Sequence, residues 1–244
     1  MRHAYRIILF LALLGAPPAL TATSQNLSVP LDALGERARE KVEALLQDHT
    51  LKRTPVLEHP ILNRSIHQFL LDRPDVGAAL TRILGIGKYT ITRVGKEHFH
   101  GSDGEGAEGD LDILYRDEAH RVYFMKGFNK GAIATVRGKA IILQEFEYRT
   151  TDEGENRVES RLTIYARVEN PLLALLLKIF APFIGRLVDN KITKAQGAVQ
   201  EVSEAMVHDP QETYRRIKES DELASEDLTM LRQLMKLPDP SAIP

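Results

Sequence analysis

Cysteine is absent from this sequence of 244 residues, and aromatic residues make up only 6% of it. Without cysteine the chain can form no disulfide bond, no thiolate metal site and no lipid-modified N-terminal cysteine. We therefore expect a fold that its hydrophobic core alone stabilises. One main core is expected, because no segment repeats at a fixed period and the length suits one domain with extensions.

A marked excess of charge of one sign is also lacking. The chain has 32 Lys and Arg against 34 Asp and Glu. Without Arg2 and Arg6, which lie in a predicted leader, the balance is 30 against 34. Nucleic-acid binding needs a basic face, so we expect no nucleic-acid partner.

The start of the chain has the pattern of a signal peptide. Residues 1–24 combine a basic beginning, an apolar run from Ile7 to Leu14, and small residues at Ala22 and Ser24. The run is shorter than the roughly 20 residues needed to span a bilayer. We predict cleavage and export to the periplasm or the medium, with a retained membrane anchor as the alternative.

The segments that follow the predicted signal peptide show helical periodicity. Apolar residues at helical spacing predict an amphipathic helix over 31–47, and packing on the domain is favoured over docking to a partner. Residues 48–60 are predicted as a connector with one short strand at 54–57. Two short helices follow, one over 62–70 and one from Pro74 to a stop at Gly85.

From Tyr89 the apolar period changes to two, which is typical of strands. Short connections predict antiparallel pairing. Alternation in the last strand predicts one dry face, which carries Leu162, and one wet face, which carries Tyr165. The candidate strands are Tyr89–Gly95, His98–Gly101, Leu111–Arg116, Arg121–Gly127, Ala132–Arg137, Ala140–Arg149 and Arg157–Val168.

A long helix is predicted after the last strand. Its second half carries an apolar stripe at spacings of four and three. Its first half, Leu172–Leu187, is apolar nearly all round, with kinks expected at Pro182 and Gly185. That half is interpreted as a core helix, a cavity lid or a membrane-contacting surface. The stripe consists of Val188, Ile192, Ala195, Val199, Val202 and Met206.

This order of elements resembles the START-like superfamily, also called SRPBCC or helix-grip proteins. The resemblance covers about Thr54 to Asp209 and is carried by Pro74–Gly85, the strand series and the segment RLTIYARVENPLLALLLKIFAPFIGRLVDNKITKA. It implies an α+β fold, in which a curved antiparallel sheet of six to seven strands grips a long C-terminal helix around an apolar cavity. Two short helices would precede the sheet, and helical extensions would lie at both ends. Members mostly bind lipids, sterols or polyketides, and some are cyclases or hydroxylase domains.

The predicted division of the chain follows from these patterns. It consists of a signal peptide at 1–24, an N-terminal helix and connector at 25–53, a helix-grip domain at 54–209, and a C-terminal helical extension with a loose tail at 210–244.

The loop over 98–112 gathers the candidate metal ligands. Its spacing matches neither an EF-hand nor a histidine-based zinc motif, and its glycines are typical of a turn. We therefore predict a solvated hairpin and no metal, with calcium or a transition metal as the alternative. The candidate ligands are His98, His100, Asp103, Glu105, Glu108, Asp110 and Asp112.

The predicted ligand site is the dry face of the sheet under the long helix. Gln144 and Ser160 interrupt that apolar face, and such groups can orient a ligand head group or be satisfied within the core. No catalytic residue is predicted, because no nucleophile motif is present. The predicted lining residues are Ile113, Tyr115, Tyr123, Met125, Ile142, Gln144, Phe146, Tyr148, Ser160, Leu162, Ile164, Phe183, Leu187, Val188, Ile192 and Ala195.

The expected function is an exported binder or carrier of an apolar small molecule, in the first place a lipid, without a cofactor. A peripheral membrane contact through Leu172–Leu187 is an additional expectation. One alternative is a cyclase-like or hydratase-like enzyme with acid and base residues in the same cavity. A second alternative is a structural or interaction protein with a filled core.

Overall fold

The computed structural model describes residues 31–60, 63–130, 135–171 and 181–238, and of residues 181–188 it describes the backbone alone. The predicted signal peptide and the stretch 172–180 lie outside the described residues. In the described ranges the helices are a short 3₁₀ turn at Leu31–Ala33, α1 Glu36–Gln47, α2 Arg64–Asp72, α3 Pro74–Ile83, α4 Ala181–His208, α5 Pro210–Glu219 and α6 Ser225–Leu234. The strands are β1 Leu51–Arg53, β2 Val56–Pro60, β3 Thr90–Arg93, β4 His98–Ser102, β5 Ala107–Arg116, β6 His120–Lys130, β7 Thr135–Thr150 and β8 Asn156–Val168.

The strands of the described chain form one eight-stranded sheet in the order β1-β8-β7-β6-β5-β4-β3. Every pairing is antiparallel, and β2 joins β8 beside β1, so these two short strands make one interrupted edge. The predicted α+β architecture, with a sheet followed by a long helix, is confirmed. The sheet begins at Leu51, upstream of the boundary predicted at residue 54.

Strand β7 differs from the prediction of two strands at 132–137 and 140–149. It runs without a break from Thr135 to Thr150. Gly138 does not end the strand, because it stays paired with Gly127 on one side and with Val168 on the other. The prediction of a break at this glycine was therefore wrong.

The face of the sheet toward α1 is called the outer face. Val42 and Leu45 of α1 are buried against Val122, Ile141 and Tyr165 of the strands. The prediction that Tyr165 lies on a wet face was wrong, because α1 covers this part of the sheet. Packing of α1 on the domain is the arrangement favoured from the sequence.

The opposite face, called the inner face, looks toward α2 and α4. Leu71 of α2 packs there against Phe146 and Val158. The C-terminal part of the α4 stripe packs on helices rather than on the sheet, since Val202 and Met206 share one buried cluster with α2, α3, α5 and α6. The C-terminal helices are therefore part of the same folded body.

Four glycines form a row across the inner face. Gly101 pairs with Gly109, Gly109 with Gly127, and Gly127 with Gly138. A Cβ atom on Gly127 would lie 2.3 Å from the carbonyl oxygen of Glu108, and one on Gly109 would lie 2.4 Å from that of Lys126. Glycine is needed where the concave side of a curled sheet crowds its own backbone. The row therefore marks a sharp curl toward α4.

The curled sheet holds α4 from two sides. Arg53 of β1 pairs with Asp189, while Lys191 and Lys194 pair with Asp103 and Glu105 of the β4–β5 loop. The side chains of Asp189 and Lys191 project in directions that differ by about 200° around the helix axis. Two distant parts of the sheet therefore contact opposite sides of one helical turn. The tip of the loop predicted to be a solvated hairpin is in fact docked on α4.

Candidate functional site

Most of the predicted lining residues share the inner face. The strand register places Tyr123 beside Ile113 and Ile142. It also places Gln144 beside Leu162. Since side chains alternate between the two faces of a strand, neighbouring strands build one continuous surface. The predicted residues found there are Ile113, Tyr123, Met125, Ile142, Gln144, Phe146, Tyr148, Ser160, Leu162 and Ile164.

Tyr115 is not on this surface. The register of β5 shifts between Ile113 and Tyr115, so Tyr115 pairs with Val122 and packs with the outer-face cluster. A bulge inserts one extra residue and reverses the alternation beyond it. The prediction that Tyr115 shares a face with Ile113 was therefore wrong.

The predicted lining residues on α4 divide into two groups. Phe183, Leu187 and Val188 lie outside the residues whose side chains are described. Ile192 is half-buried and Ala195 is exposed. The lining role predicted for these positions stays a prediction.

One end of the inner face is not covered by the described residues. Met125, next to the glycine row, has 41% of its surface exposed. Ala195 is exposed as well, although Val202, two turns further along the same side of α4, is 1% exposed. The side of α4 that packs tightly at Val202 is therefore accessible at Ala195. This end of the site is apolar and reachable from solvent.

The other end of the inner face is closed and contains two histidines that were not predicted. His67 of α2 is 1% exposed and His59 of β2 is 9% exposed, with ring centroids 5.7 Å apart. Nδ1 of His67 lies 3.1 Å from the hydroxyl oxygen of Tyr148. Phe146 packs edge-on against His67 at 5.7 Å. These four side chains form what is called here the histidine end.

A local signal for both histidines exists in the sequence. His67 has the helical spacing of the buried residues Leu70 and Leu71, three and four positions later. His59 follows Leu57 by two residues on a strand, so both point to the same face. Each histidine thus occupies a position of the apolar pattern.

Burial keeps the histidine end neutral. Loss of solvation is the largest cause that lowers the pKa of His67 to about 3, followed by repulsion from His59 when that ring is protonated and from Arg121. Burial also lowers the pKa of His59 and raises the pKa of the Tyr148 hydroxyl. At neutral pH the three groups are therefore uncharged.

The buried cation beside this end is compensated. Arg121 is 3% exposed, and its Nε donates to Oδ1 of Asp72 at 2.7 Å. Its Nη1 donates to the carbonyl oxygen of His120 at 2.8 Å. A buried guanidinium paired in this way is structural and leaves little net charge for a ligand.

Gln144 and Ser160 lie between the two ends and contact each other. Nε2 of Gln144 donates to Oγ of Ser160 at 2.8 Å, and both side chains are buried. This bond joins neighbouring strands β7 and β8. The predicted polar interruption of the apolar face is thus a paired one, as the core interpretation expects.

The candidate metal ligands form cross-strand pairs instead of a cluster. Nδ1 of His98 lies 2.5 Å from Asp112, and Nδ1 of His100 lies 2.8 Å from Asp110. No group of three or more His, Cys, Asp or Glu in the described part of the chain is arranged to hold a metal ion. Within the same part, none of the helices combines the length and apolar character required to cross a bilayer.

Solved structures with similar folds were found. A conserved protein from Geobacillus kaustophilus is 12% identical, with a TM-score of 0.45 over 64% of this chain and 97% of that chain. Ara h 8.0201 is 12% identical, with a TM-score of 0.41 over 64% and 99%. Truncated norcoclaurine synthase from Thalictrum flavum is 13% identical, with a TM-score of 0.40 over 65% and 95%. No family model and no curated protein matches the sequence. Function must therefore be inferred from the chain itself.

Proposed function

We propose that this protein binds an apolar small molecule, in the first place a lipid, between the inner face of the sheet and α4. The observation that carries the proposal is accessible apolar surface at Met125 on the inner face of the sheet and at Ala195 on α4. A filled core would bury both positions.

The packing of the described residues supports this proposal. The buried cluster of Phe99, Ile113 and Tyr123 on the inner face is separate from the cluster around Val202 and Met206 on α4. An apolar surface with a few polar groups at one end is the usual lining of a small-molecule site.

Export and membrane contact belong to the same proposal. A leader at 1–24 would carry the chain out of the cytoplasm. In the periplasm or the medium, an apolar compound needs a carrier to move through water. The apolar stretch Leu172–Leu187 would contact the membrane when the ligand is exchanged.

Blocking the accessible side of α4 tests the binding function. Ala195→Trp places a large side chain into the proposed space, whereas Asn190→Trp adds the same side chain at an exposed position about 140° away on the helix. N-phenyl-1-naphthylamine, a neutral apolar dye, reports binding by fluorescence. We expect saturable binding to the wild type, a loss of at least about tenfold in affinity for Ala195→Trp, and no change for Asn190→Trp.

Two results would contradict the binding function. One is the absence of saturable dye binding by the folded wild-type protein. The other is equal affinity of Ala195→Trp and Asn190→Trp, which would place the dye elsewhere.

The second candidate function is acid–base catalysis, favoured by the buried pair of His67 and Tyr148. A histidine with a pKa of about 3 is a weak base at neutral pH, where an effective base has a pKa near 7. The same neutral ring is well suited to hydrogen bonding. The histidine end therefore favours binding over proton transfer.

A further inference from the structure

The histidine end holds two buried ring nitrogens without a hydrogen-bond partner in the described part of the chain. Nε2 of His59 and Nε2 of His67 have no hydrogen-bond partner among the described protein atoms. A buried polar atom without a partner carries a free-energy cost. A bound molecule that offers a partner at this place would remove that cost.

The chemistry of the two rings selects the partner. We assign the Tyr148 hydroxyl as donor to Nδ1 of His67 at 3.1 Å, which leaves the ring proton on Nε2. His67 then offers a donor, and neutral His59 can offer an acceptor at Nε2 when its proton is on Nδ1. A hydroxyl group both accepts and donates, so it can satisfy both nitrogens. A carboxylate cannot donate, and it would bring a charge into a buried, neutral region.

The position of the histidines suits the end of an elongated ligand. Ala140, the partner of Met125 at the uncovered end, lies eight residues before Tyr148 on β7. Eight residues of a strand span about 26 Å. The surface between these points is apolar except for the paired Gln144 and Ser160 and for Arg121, which lies opposite Gln144 and is paired with Asp72.

We propose that His59 and His67 bind the hydroxyl head of an otherwise apolar, elongated ligand whose tail points toward Met125. This inference rests on the proposed binding function and adds the chemical class of the ligand. Water is the alternative hydrogen-bond partner for the two nitrogens. The experiment distinguishes water from the hydroxyl group of a ligand.

The test compares decan-1-ol with decane as competitors of N-phenyl-1-naphthylamine. The wild type is expected to bind decan-1-ol at least about tenfold more tightly than decane, which corresponds to one net hydrogen bond of a buried group. His59→Phe and His67→Phe should bind both compounds equally. His100→Phe, which replaces an exposed histidine on β4, should keep the preference.

A spectroscopic measurement on the wild-type protein provides the test if the histidine variants fail to fold. In ¹⁵N-labelled wild-type protein, saturation with decan-1-ol should shift the ring nitrogens of His59 and His67, and saturation with decane should not.

The remaining outcomes distinguish failure of the head-group site from failure of the binding function. Dye binding without a preference for decan-1-ol, or unchanged histidine shifts, would overturn the head-group site and leave the binding function intact. A preference that persists in both phenylalanine variants would have the same meaning. If neither the dye nor either competitor binds, the binding function fails and this inference fails with it.

Discussion

Replacing Gly127 by alanine puts a methyl group where the inner face has no room. The new Cβ would lie 2.3 Å from the carbonyl oxygen of Glu108 and 2.8 Å from Cα of Gly109. Non-bonded heavy atoms prefer about 3.5 Å or more, so β5 and β6 must separate by roughly 1 Å at this point.

The cost can be worked out from these contacts. Overpacking against backbone atoms that cannot rotate away costs about 3 kcal/mol, at the upper end of the usual range. Alanine also lowers the conformational entropy of the unfolded chain, which raises the free energy of unfolding by about 0.5–1 kcal/mol. The net loss in the free energy of unfolding is therefore about 2 kcal/mol, or a fall in Tm of about 4–8 °C for a chain of this size.

Urea unfolding followed by circular dichroism measures this change. The matched control is Gly197→Ala on α4, where an added Cβ meets nothing within 4 Å. That variant should gain about 0.5–1 kcal/mol, because alanine favours the helix. Gly109→Ala combined with Gly127→Ala should cost less than the two single changes together, since one separation of the strands relieves both contacts. Equal stability of Gly127→Ala and the wild type would refute the curl at the glycine row.

Three further variants test the rest of the fold. Leu45→Ala should lower the free energy of unfolding by about 3 kcal/mol if α1 is part of the outer-face core, and an unchanged urea midpoint would exclude α1 from it. Arg73→Leu removes the guanidinium that donates to Asp227 at 2.7 Å, and leaving that buried carboxylate unpaired should cost about 3 kcal/mol; a smaller loss than 1 kcal/mol would mean that α6 docks without this contact. His67 binds a proton more weakly when folded, so the wild type should lose stability as pH falls from 6.5 toward 3. His67→Phe should flatten that part of the pH profile, and parallel profiles would contradict the burial of the ring.

The order of the elements could be predicted because it depends on local periodicity. The change from helical spacing to alternation at Tyr89 and the apolar stripe ending at Met206 are both readable along the chain. Two features of the sheet depend on which residues face each other across strands. The row through Gly109 and Gly127 and the bulge before Tyr115 appear only once the register is known.

The histidine end illustrates a different limit. His59 and His67 occupy apolar positions of a strand and a helix, 8 residues apart in the sequence. Their proximity depends on how α2 packs over β2 and β8, which periodicity does not determine. The inner-face positions on β6, β7 and β8 were predictable because they need only the alternation of each strand.

The central claim is that the space under α4 holds an apolar ligand with a hydroxyl head. Its most direct test is mass spectrometry of the organic extract of the purified protein, with Ala195→Trp purified in parallel. We predict a hydroxyl-bearing apolar compound, near one equivalent per chain in the wild type and strongly reduced in the variant. A clean extract from a wild-type protein that also binds neither the dye nor decan-1-ol would contradict the claim.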